Sequence, residues 1–215
     1  PICQTVQETF REGHLPIVMS GDHSSALGTI SGVKAAHPNR RLGVIWIDAH
    51  ADLHSPFTSP SGNVHGMPLA AALGEDNQDH QINEVTEKTL EEWNLLKNIG
   101  LPGPKLLPHD LVFLGVRDTE MPEDKLMENR NIRNYPVFEI RYRGIDPCMQ
   151  ELTSRLSDCD LLYISFDVDS LDCDLVSRGT GTPVPKGFDP EEVKGIIDSL
   201  LATGKVACLE VTEVN

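Results

Sequence analysis

Two apolar runs of this sequence, far apart along the chain, each lead directly into acidic side chains. Residues 42–47 and 161–166 are uncharged and rich in Leu and Ile, as expected of buried strands. Because residues two apart in an extended segment point to the same face, two carboxylates so placed would repel each other unless a cation lay between them. The acidic or imidazole side chains that follow the two runs are Asp48, His50, Asp52, Asp167 and Asp169.

Helical and strand patterns alternate along the rest of the chain. A buried strand is predicted at residues 15–19, and further strands at residues 42–47, 111–116, 137–140, 161–166 and 206–211. Helices are predicted at residues 5–13, 24–36, 67–73, 89–99, 123–129, 147–156 and 190–202. Apolar strands separated by helices are typical of a parallel sheet covered on both faces. We therefore expect a single α/β domain over residues 1–215, a three-layer α-β-α sandwich on a central parallel sheet.

Composition excludes several classes of protein. The chain has 215 residues, enough for one full core, and 18 basic against 33 acidic residues argue against nucleic-acid binding. No apolar run approaches the length of a membrane span. The five cysteines are scattered without a C-x-x-C pair, which favours reduced thiols in a cytoplasmic protein. The start at Pro1 without Met predicts a fragment of a longer protein.

The polar residues at the strand ends suit a metal centre. Ligands of an α/β protein collect at the carboxyl ends of its parallel strands, where His23 also follows a predicted strand. Four carboxylates and two imidazoles without a thiol favour Mn²⁺ or Fe²⁺ over structural zinc, and six ligands suffice for two ions. The alternative is that these residues form turns, cap helices or donate structural hydrogen bonds. The predicted ligands are His23, Asp48, His50, Asp52, Asp167 and Asp169.

The loop segment at residues 61–68 contains a single imidazole, His65. Histidine titrates nearest to neutral pH, so His65 is either a proton shuttle or a surface residue.

Six segments, in this order and spanning nearly the whole chain, resemble the ureohydrolase superfamily and most closely the arginases. As a set they are specific, although each alone is common. The family's fold is an α/β sandwich on an eight-stranded parallel sheet. By this comparison the chain is truncated at both ends, lacking the first strand, the final helix and the tail used in subunit contacts. The segments are Gly21-Asp22-His23-Ser24, Asp48-Ala49-His50-Ala51-Asp52, Ser61-Gly62-Asn63-Val64-His65-Gly66, Ser165-Phe166-Asp167-Val168-Asp169, Gly179-Thr180-Gly181-Thr182-Pro183 and Glu213-Val214-Asn215.

The resemblance implies a role for each site residue. The six predicted ligands would hold two Mn²⁺ per subunit, with Asp48 and Asp167 bridging the ions. His65 would shuttle protons, Glu213 would receive the substrate guanidinium with Thr182 beside it, and Asp52 would join them in catalysis. The residues expected at the amino-acid end of the substrate are His54, Ser59, Ser61, Asn63, Asp118 and Glu120.

The sequence departs from the family pattern at three positions. His54 stands where arginases usually carry Asn, and Glu120 where they usually carry Asp. Both changes alter the reach of a hydrogen-bonding group, which affects substrate affinity more than chemistry. Cys173 replaces the usual Pro after Asp172, and the loop to Thr182 is one residue longer, so this loop is expected to be reshaped.

The chemistry implied by the resemblance is hydrolysis of L-arginine to L-ornithine and urea. A guanidinium is a poor electrophile, and two cations about 3.5–4 Å apart can lower the pKa of a water between them from 15.7 towards about 7. The resemblance also implies a homo-oligomer, a trimer or hexamer, for the full-length protein.

Three alternatives remain at this stage. Agmatinase and formimidoylglutamase belong to the same superfamily, and an inactive homologue could bind metal or partner proteins without turnover. The polar loop with Ser61 and Asn63 favours arginine, because agmatine lacks the α-carboxylate that such side chains suit. Retention of all six ligands with His65 and Glu213 argues against an inactive protein.

Overall fold

A parallel β-sheet forms the middle layer of the computed structural model, which describes residues 1–176 and 178–214. Within those residues the sheet has six strands in the order β1-β6-β5-β2-β3-β4, against the eight implied by the resemblance. Every neighbouring pair is parallel. The strands are β1 (Ile17–Ser20), β2 (Leu42–Ile47), β3 (Leu111–Leu114), β4 (Arg133–Tyr135), β5 (Leu161–Asp167) and β6 (Val206–Thr212).

Helices cover both faces of the sheet. Alternate residues of β2 point to opposite sides, so that Val44 and Trp46 pack under α1 to α5 while Ile45 and Ile47 pack under α6 to α8. The predicted three-layer sandwich is confirmed. None of the described helices is long and apolar enough to cross a membrane. The helices are α1 (Ile2–Arg11), α2 (Ala26–Ala36), α3 (Pro68–Leu73), α4 (Glu87–Lys97), α5 (Met121–Arg130), α6 (Val137–Arg143), α7 (Ile145–Arg155) and α8 (Pro190–Leu201).

The prediction of a strand at residues 137–140 was wrong. Those residues begin α6, and the strand lies just before them at Arg133–Tyr135. Val137 and Ile140 are three residues apart and both buried, a spacing that places them on one face of a helix. A short apolar run carries too little periodicity to separate the two structures.

The prediction of a buried strand at residues 15–19 was also wrong in its burial. The strand β1 lies at the edge of the sheet, where β6 is its neighbour among the described residues. Ile17 and Met19 are consequently 67% and 75% exposed. An edge strand is covered on fewer sides than a central one, and hydrophobicity alone does not report that position.

Gly115, directly after β3, has a backbone conformation and surroundings that suit no other residue. Its φ is +89°, and a Cβ built on it would lie 2.5 Å from Phe188 Cε2. Left-handed backbone costs an L-residue roughly 1–2 kcal/mol, and overpacking adds about 1–3 kcal/mol. We therefore expect Gly115→Ala to lower the free energy of unfolding, measured by chemical denaturation of the metal-free protein, by more than either effect alone.

Gly103 offers a matched control for this prediction. Its φ is +78°, but a Cβ there would meet nothing within 4 Å. Gly103→Ala should therefore show the backbone cost without the overpacking. Equal destabilisation by the two variants would contradict the role assigned to Phe188.

Candidate metal centre

The predicted ligands meet at one edge of the sheet because the strands that carry them are parallel neighbours. Ile47 of β2 lies beside Phe166 of β5, so Asp48 and Asp167 leave the sheet side by side. The turn after β1 supplies His23, and β6 leads into Glu213. Parallel strands present their carboxyl ends at a common edge, where ligands of such sheets bind.

One group of ligands converges on the ring of His23. Its Nδ1 lies 3.1 Å from Asp48 Oδ2, 3.0 Å from Asp52 Oδ2 and 3.3 Å from Asp167 Oδ2. All four side chains are buried. A single ring nitrogen can carry only one proton for three carboxylates. The Oδ2 atom of Asp48 makes no hydrogen bond with the described residues, so the arrangement suits a cation between these groups.

A second group forms around His50. Its Nδ1 lies 2.9 Å from Asp169 Oδ2 and 3.6 Å from Asp48 Oδ1. Backbone N–H groups support Asp48 and Asp167. The N–H of His50 donates to Asp48 Oδ1 at 2.7 Å, and that of Asp169 donates to Asp167 Oδ1 at 2.8 Å. His23/Asp48/Asp52 and Asp48/His50/Asp169 are each close enough to hold one ion. Asp48 belongs to both groups, as expected for two neighbouring ions.

The pKa shifts show that the buried carboxylates of this cluster repel one another. Burial, followed by the charge of Asp48, raises the pKa of Asp167 to about 10 and that of Asp169 to about 6. Burial opposes charge on His50, yet Asp169 and Asp48 together raise its pKa to about 11. Burial also works against ionised Asp48, whose pKa falls below its usual value because His23 and His50 lie beside it. Protons thus hold the acids together in the metal-free form, and divalent cations would replace them.

Glu213 and His65 lie in the same cavity as these ligands, a space of about 280 Å³. Glu213 follows β6 with a φ of +62°, and its Oε2 atom is buried without a hydrogen-bond partner among the described residues. Burial raises the pKa of Glu213, while His23 and His65 lower it. His65 is partly exposed in the single turn Val64–Gly66, and Thr182 lines the cavity at its exposed side.

The cavity is also lined by the two unusual residues His54 and Glu120. His54 Nε2 lies 2.9 Å from Glu120 Oε2, and its Nδ1 lies 3.2 Å from Thr58 Oγ1. Glu123 Oε2 is 3.4 Å from the same Nε2 atom. The longer Glu120 thus reaches the ring that replaces Asn. The other predicted residues that line the cavity are Ser59, Ser61, Asn63 and Asp118.

Sequence reasoning missed Glu123 as a cavity residue. Its carboxylate accepts the backbone N–H groups of Leu53 at 3.0 Å and of Glu120 at 3.1 Å, and burial raises its pKa to about 8. The spacing of Glu120 and Glu123 forms a capping box at the start of α5. That local signal predicts a helix start, and its place in the chain, just after the cavity residue Asp118, could have marked Glu123 as well.

Glu210 is a second buried carboxylate that the sequence did not mark. It lies on β6 and accepts hydrogen bonds from Ser20 Oγ at 3.0 Å, Ser25 Oγ at 2.7 Å and Tyr163 Oη at 2.6 Å. Ser25 ends the turn that begins with His23. Glu210 therefore fixes the turn that presents the first imidazole.

The loop with the third departure folds back on itself. Asp172 Oδ1 accepts the N–H of Asp174 at 2.9 Å, its Oδ2 accepts that of Lys186 at 3.1 Å, and Cys173 is buried. Ser177 of this loop and Asn215, the last residue of the sixth matching segment, lie outside the described residues.

Comparison with known proteins relates this arrangement to one family. The family described as "Arginase family" matches residues 1–215. The arginase of Bacillus subtilis (strain 168) is 35% identical over 214 residues, which cover 100% of this chain and 66% of the relative. The arginase of Entamoeba histolytica is 32% identical over 212 residues, covering 98% of this chain and 65% of the relative. The chain thus spans slightly less than two thirds of their length.

Comparison with solved structures also relates this chain to the arginases. The crystal structure of arginase from Bacillus cereus superposes with a TM-score of 0.86 at 34% identity, covering 100% of this chain and 68% of that chain. Formimidoylglutamase from Bacillus subtilis shares the fold, with a TM-score of 0.75 at 22% identity over 100% of this chain and 58% of that one. A match over the whole sequence, relatives above 30% identity and a shared fold lead to one conclusion: this chain belongs to the arginase family.

Proposed function

We propose that the protein containing this chain is a manganese-dependent arginase, which hydrolyses L-arginine to L-ornithine and urea. The observation that carries the proposal is the pair of ligand groups that share Asp48 in the same cavity as the unpaired Oε2 atom of Glu213. Its hard oxygen and imidazole donors suit two Mn²⁺ ions. The resemblance to arginases also favours a homo-oligomer, and the scattered cysteines favour a cytoplasmic enzyme.

The ions would be held by His23, Asp48, His50, Asp52, Asp167 and Asp169, with Asp48 and Asp167 between them. Bound there, they would supply a water acidic enough to act as a nucleophile near neutral pH.

Glu213 would bind the substrate guanidinium. A carboxylate and a guanidinium form a planar contact through two hydrogen bonds, which fixes the direction of the central carbon. Burial raises the pKa of Glu213, so an arriving cation restores the charged carboxylate and gains from the pairing. Thr182 would lie at the side of the bound group.

His65 would provide the proton that the departing amine requires. It lines the cavity and is partly exposed, so its imidazole can exchange protons with solvent and transfer one to the substrate. Cleavage of the carbon–nitrogen bond then leaves ornithine and urea.

Cavity residues outside the predicted ligand set would bind the α-amino and α-carboxylate groups. The acidic side chains of Asp118, Glu120 and Glu123 would face the ammonium. Ser61 and Asn63 would donate to the carboxylate, with His54 also within the cavity.

The proposal is tested by measuring urea released from L-arginine and from agmatine by the full-length protein, with and without added Mn²⁺. Agmatinase is the second candidate because the three carboxylates of Asp118, Glu120 and Glu123 line the cavity, and they suit the amine that both substrates carry. We expect Mn²⁺-dependent turnover with a clear preference for arginine. A kcat/KM for agmatine equal to or above that for arginine would replace arginase with agmatinase.

Asn63→Ala should raise KM for arginine and narrow its advantage over agmatine. Asn63 lines the cavity at its exposed rim, and a hydrogen bond to a carboxylate contributes about 1.5–3 kcal/mol. Steady-state kinetics with both substrates measures the change. Asn94→Ala, on the exposed surface of α4, is the control and should alter neither constant. Equal effects on the two substrates would show that Asn63 does not contact the carboxylate.

A further inference from the structure

Arg117, in the segment after β3, connects three parts of the chain that surround the metal centre. We propose that Arg117 is a positioning residue for one half of this centre, the group formed by Asp48, His50 and Asp169. The inference rests on the proposed two-metal site. It predicts that loss of the guanidinium weakens the binding of one metal ion and leaves the affinity for the other unchanged.

The side chain of Arg117 is directed at backbone carbonyls from three segments. Its Nε donates to Pro185 O at 3.1 Å and its Nη1 to Gly115 O at 3.1 Å. Its Nη2 donates to Asp169 O at 3.0 Å and Val184 O at 2.8 Å. The planar fork of a guanidinium usually pairs with a carboxylate, but here it holds the turn after β5 against the loop that follows Thr182.

The backbone of the same residue reaches the turn after β2. The N–H groups of Arg117 and Asp118 both donate to Ala49 O, at 2.9 Å and 3.0 Å. The N–H of Ala49 in turn donates to Asp169 Oδ1 at 3.1 Å. Ala49 lies between the ligands Asp48 and His50. Arg117, Ala49 and Asp169 therefore form a closed circuit of hydrogen bonds directly behind the second ligand group.

The imidazole of the first ligand group, His23, is held by other residues. Glu210 fixes the turn of His23 through Ser25, Ser165 Oγ lies 2.8 Å from His23 Nε2, and the ring of Trp46 stacks on the imidazole at 4.0 Å. None of the carbonyls that accept from the Arg117 side chain belongs to His23, Asp48 or Asp52 among the described residues. Removing the guanidinium should therefore displace Asp169 while the His23 group keeps its geometry.

Charge and geometry can be separated at this position. A lysine at residue 117 keeps a positive charge near Asp169 but presents its donors from one point, which cannot reach Gly115 O and Pro185 O together. We expect Arg117→Lys to behave like Arg117→Gln.

The experiment is a titration of the metal-free, full-length protein with Mn²⁺ alone. Calorimetry measures the affinity for each ion, and electron paramagnetic resonance reports whether the bound ions are neighbours. The unaltered protein should bind two ions per chain. In Arg117→Gln and Arg117→Lys one ion should keep its affinity, and the other should bind roughly 10–100-fold more weakly, the usual effect of removing a partner behind a metal ligand. The spectrum should change from that of a coupled pair to that of an isolated ion.

Arg155 provides the matched control. It is also a partly buried arginine that donates to backbone carbonyls of two segments, His109 O at 3.0 Å and Asn131 O at 2.5 Å, before β3 and β4 at the opposite edge of the sheet. Arg155→Gln should still bind both ions with unaltered affinity, even where its melting temperature falls.

Three results would overturn the inference. These are two ions bound by Arg117→Gln with unaltered affinity, equal weakening of both ions, or full recovery by Arg117→Lys. Fewer than two ions on the unaltered, folded protein would instead overturn the proposed metal centre, so the two failures are distinguishable. Arg117→Lys, the milder change, decides the question if Arg117→Gln does not fold.

Discussion

Asp48→Asn is expected to remove both metal ions and to reduce urea release to background. Asp48 is the one side chain that belongs to both three-residue ligand groups, beside His23 and Asp52 on one side and His50 and Asp169 on the other. Asparagine keeps the shape of the side chain and an oxygen for the His50 N–H, now at 2.7 Å. It removes the negative charge that two cations would share. Elemental analysis after gel filtration, together with the urea assay, measures both losses.

Asp110→Asn is the control for the loss of a buried carboxylate. Asp110 lies just before β3, at the opposite edge of the sheet, and pairs with Arg41 through Nε and Nη2, both at 2.8 Å. Breaking this pair should lower the melting temperature, because the partly exposed guanidinium of Arg41 loses the carboxylate that accepts two of its hydrogen bonds. Metal content and turnover per folded molecule should stay unchanged. Two ions retained by Asp48→Asn with normal turnover would remove the basis of the proposed centre.

The central strands could be predicted from the sequence because their environment is uniform. The strand β2 was predicted with its observed bounds, since every one of its residues is buried and charge begins directly after it. Asp48 follows this strand directly, and Asp167 is the last residue of β5, which is buried apart from Phe166. Their convergence then follows from parallel pairing, which brings the carboxyl ends of adjacent strands to one edge.

The parts that the sequence did not predict depend on contacts between distant residues. Glu210 contacts Ser20 and Ser25, which flank His23, and these residues lie 190 and 185 positions away along the chain. The pairing of His54 with Glu120 likewise joins residues 66 positions apart. Local patterns report the helix or strand in which a residue lies, and not the partner that a buried polar atom finds.

The burial of β1, at the edge of the sheet, also could not be predicted from local sequence. Ile17 and Met19 have side chains typical of a central strand, yet their exposure is decided by the position of β1 beside β6 alone among the described residues. Val137 and Ile140 show it for element type, because four residues fit a strand and a helical turn equally well. Strand order and neighbours are properties of the folded chain.

His65→Asn is expected to lower kcat by roughly 10²–10⁴-fold, the usual contribution of a positioned proton donor, while both metal ions remain bound. His65 lines the cavity with Glu213 but belongs to none of the groups of side chains able to hold an ion within the described residues. Its loss should therefore affect proton transfer to the departing amine without affecting the ligands. Steady-state kinetics and elemental analysis on the same preparation separate these two effects.

His80→Asn supplies the matched control for this prediction. His80 lies in another single turn, Gln78–His80, where its Nδ1 contacts Asn77 Oδ1 at 2.9 Å, and it does not line the cavity. The variant should keep kcat, KM and metal content. An unaltered kcat in His65→Asn would show that another group delivers the proton. Loss of metal in that variant would place the imidazole among the ligands, because a proton donor can be removed without disturbing the ions whereas a ligand cannot.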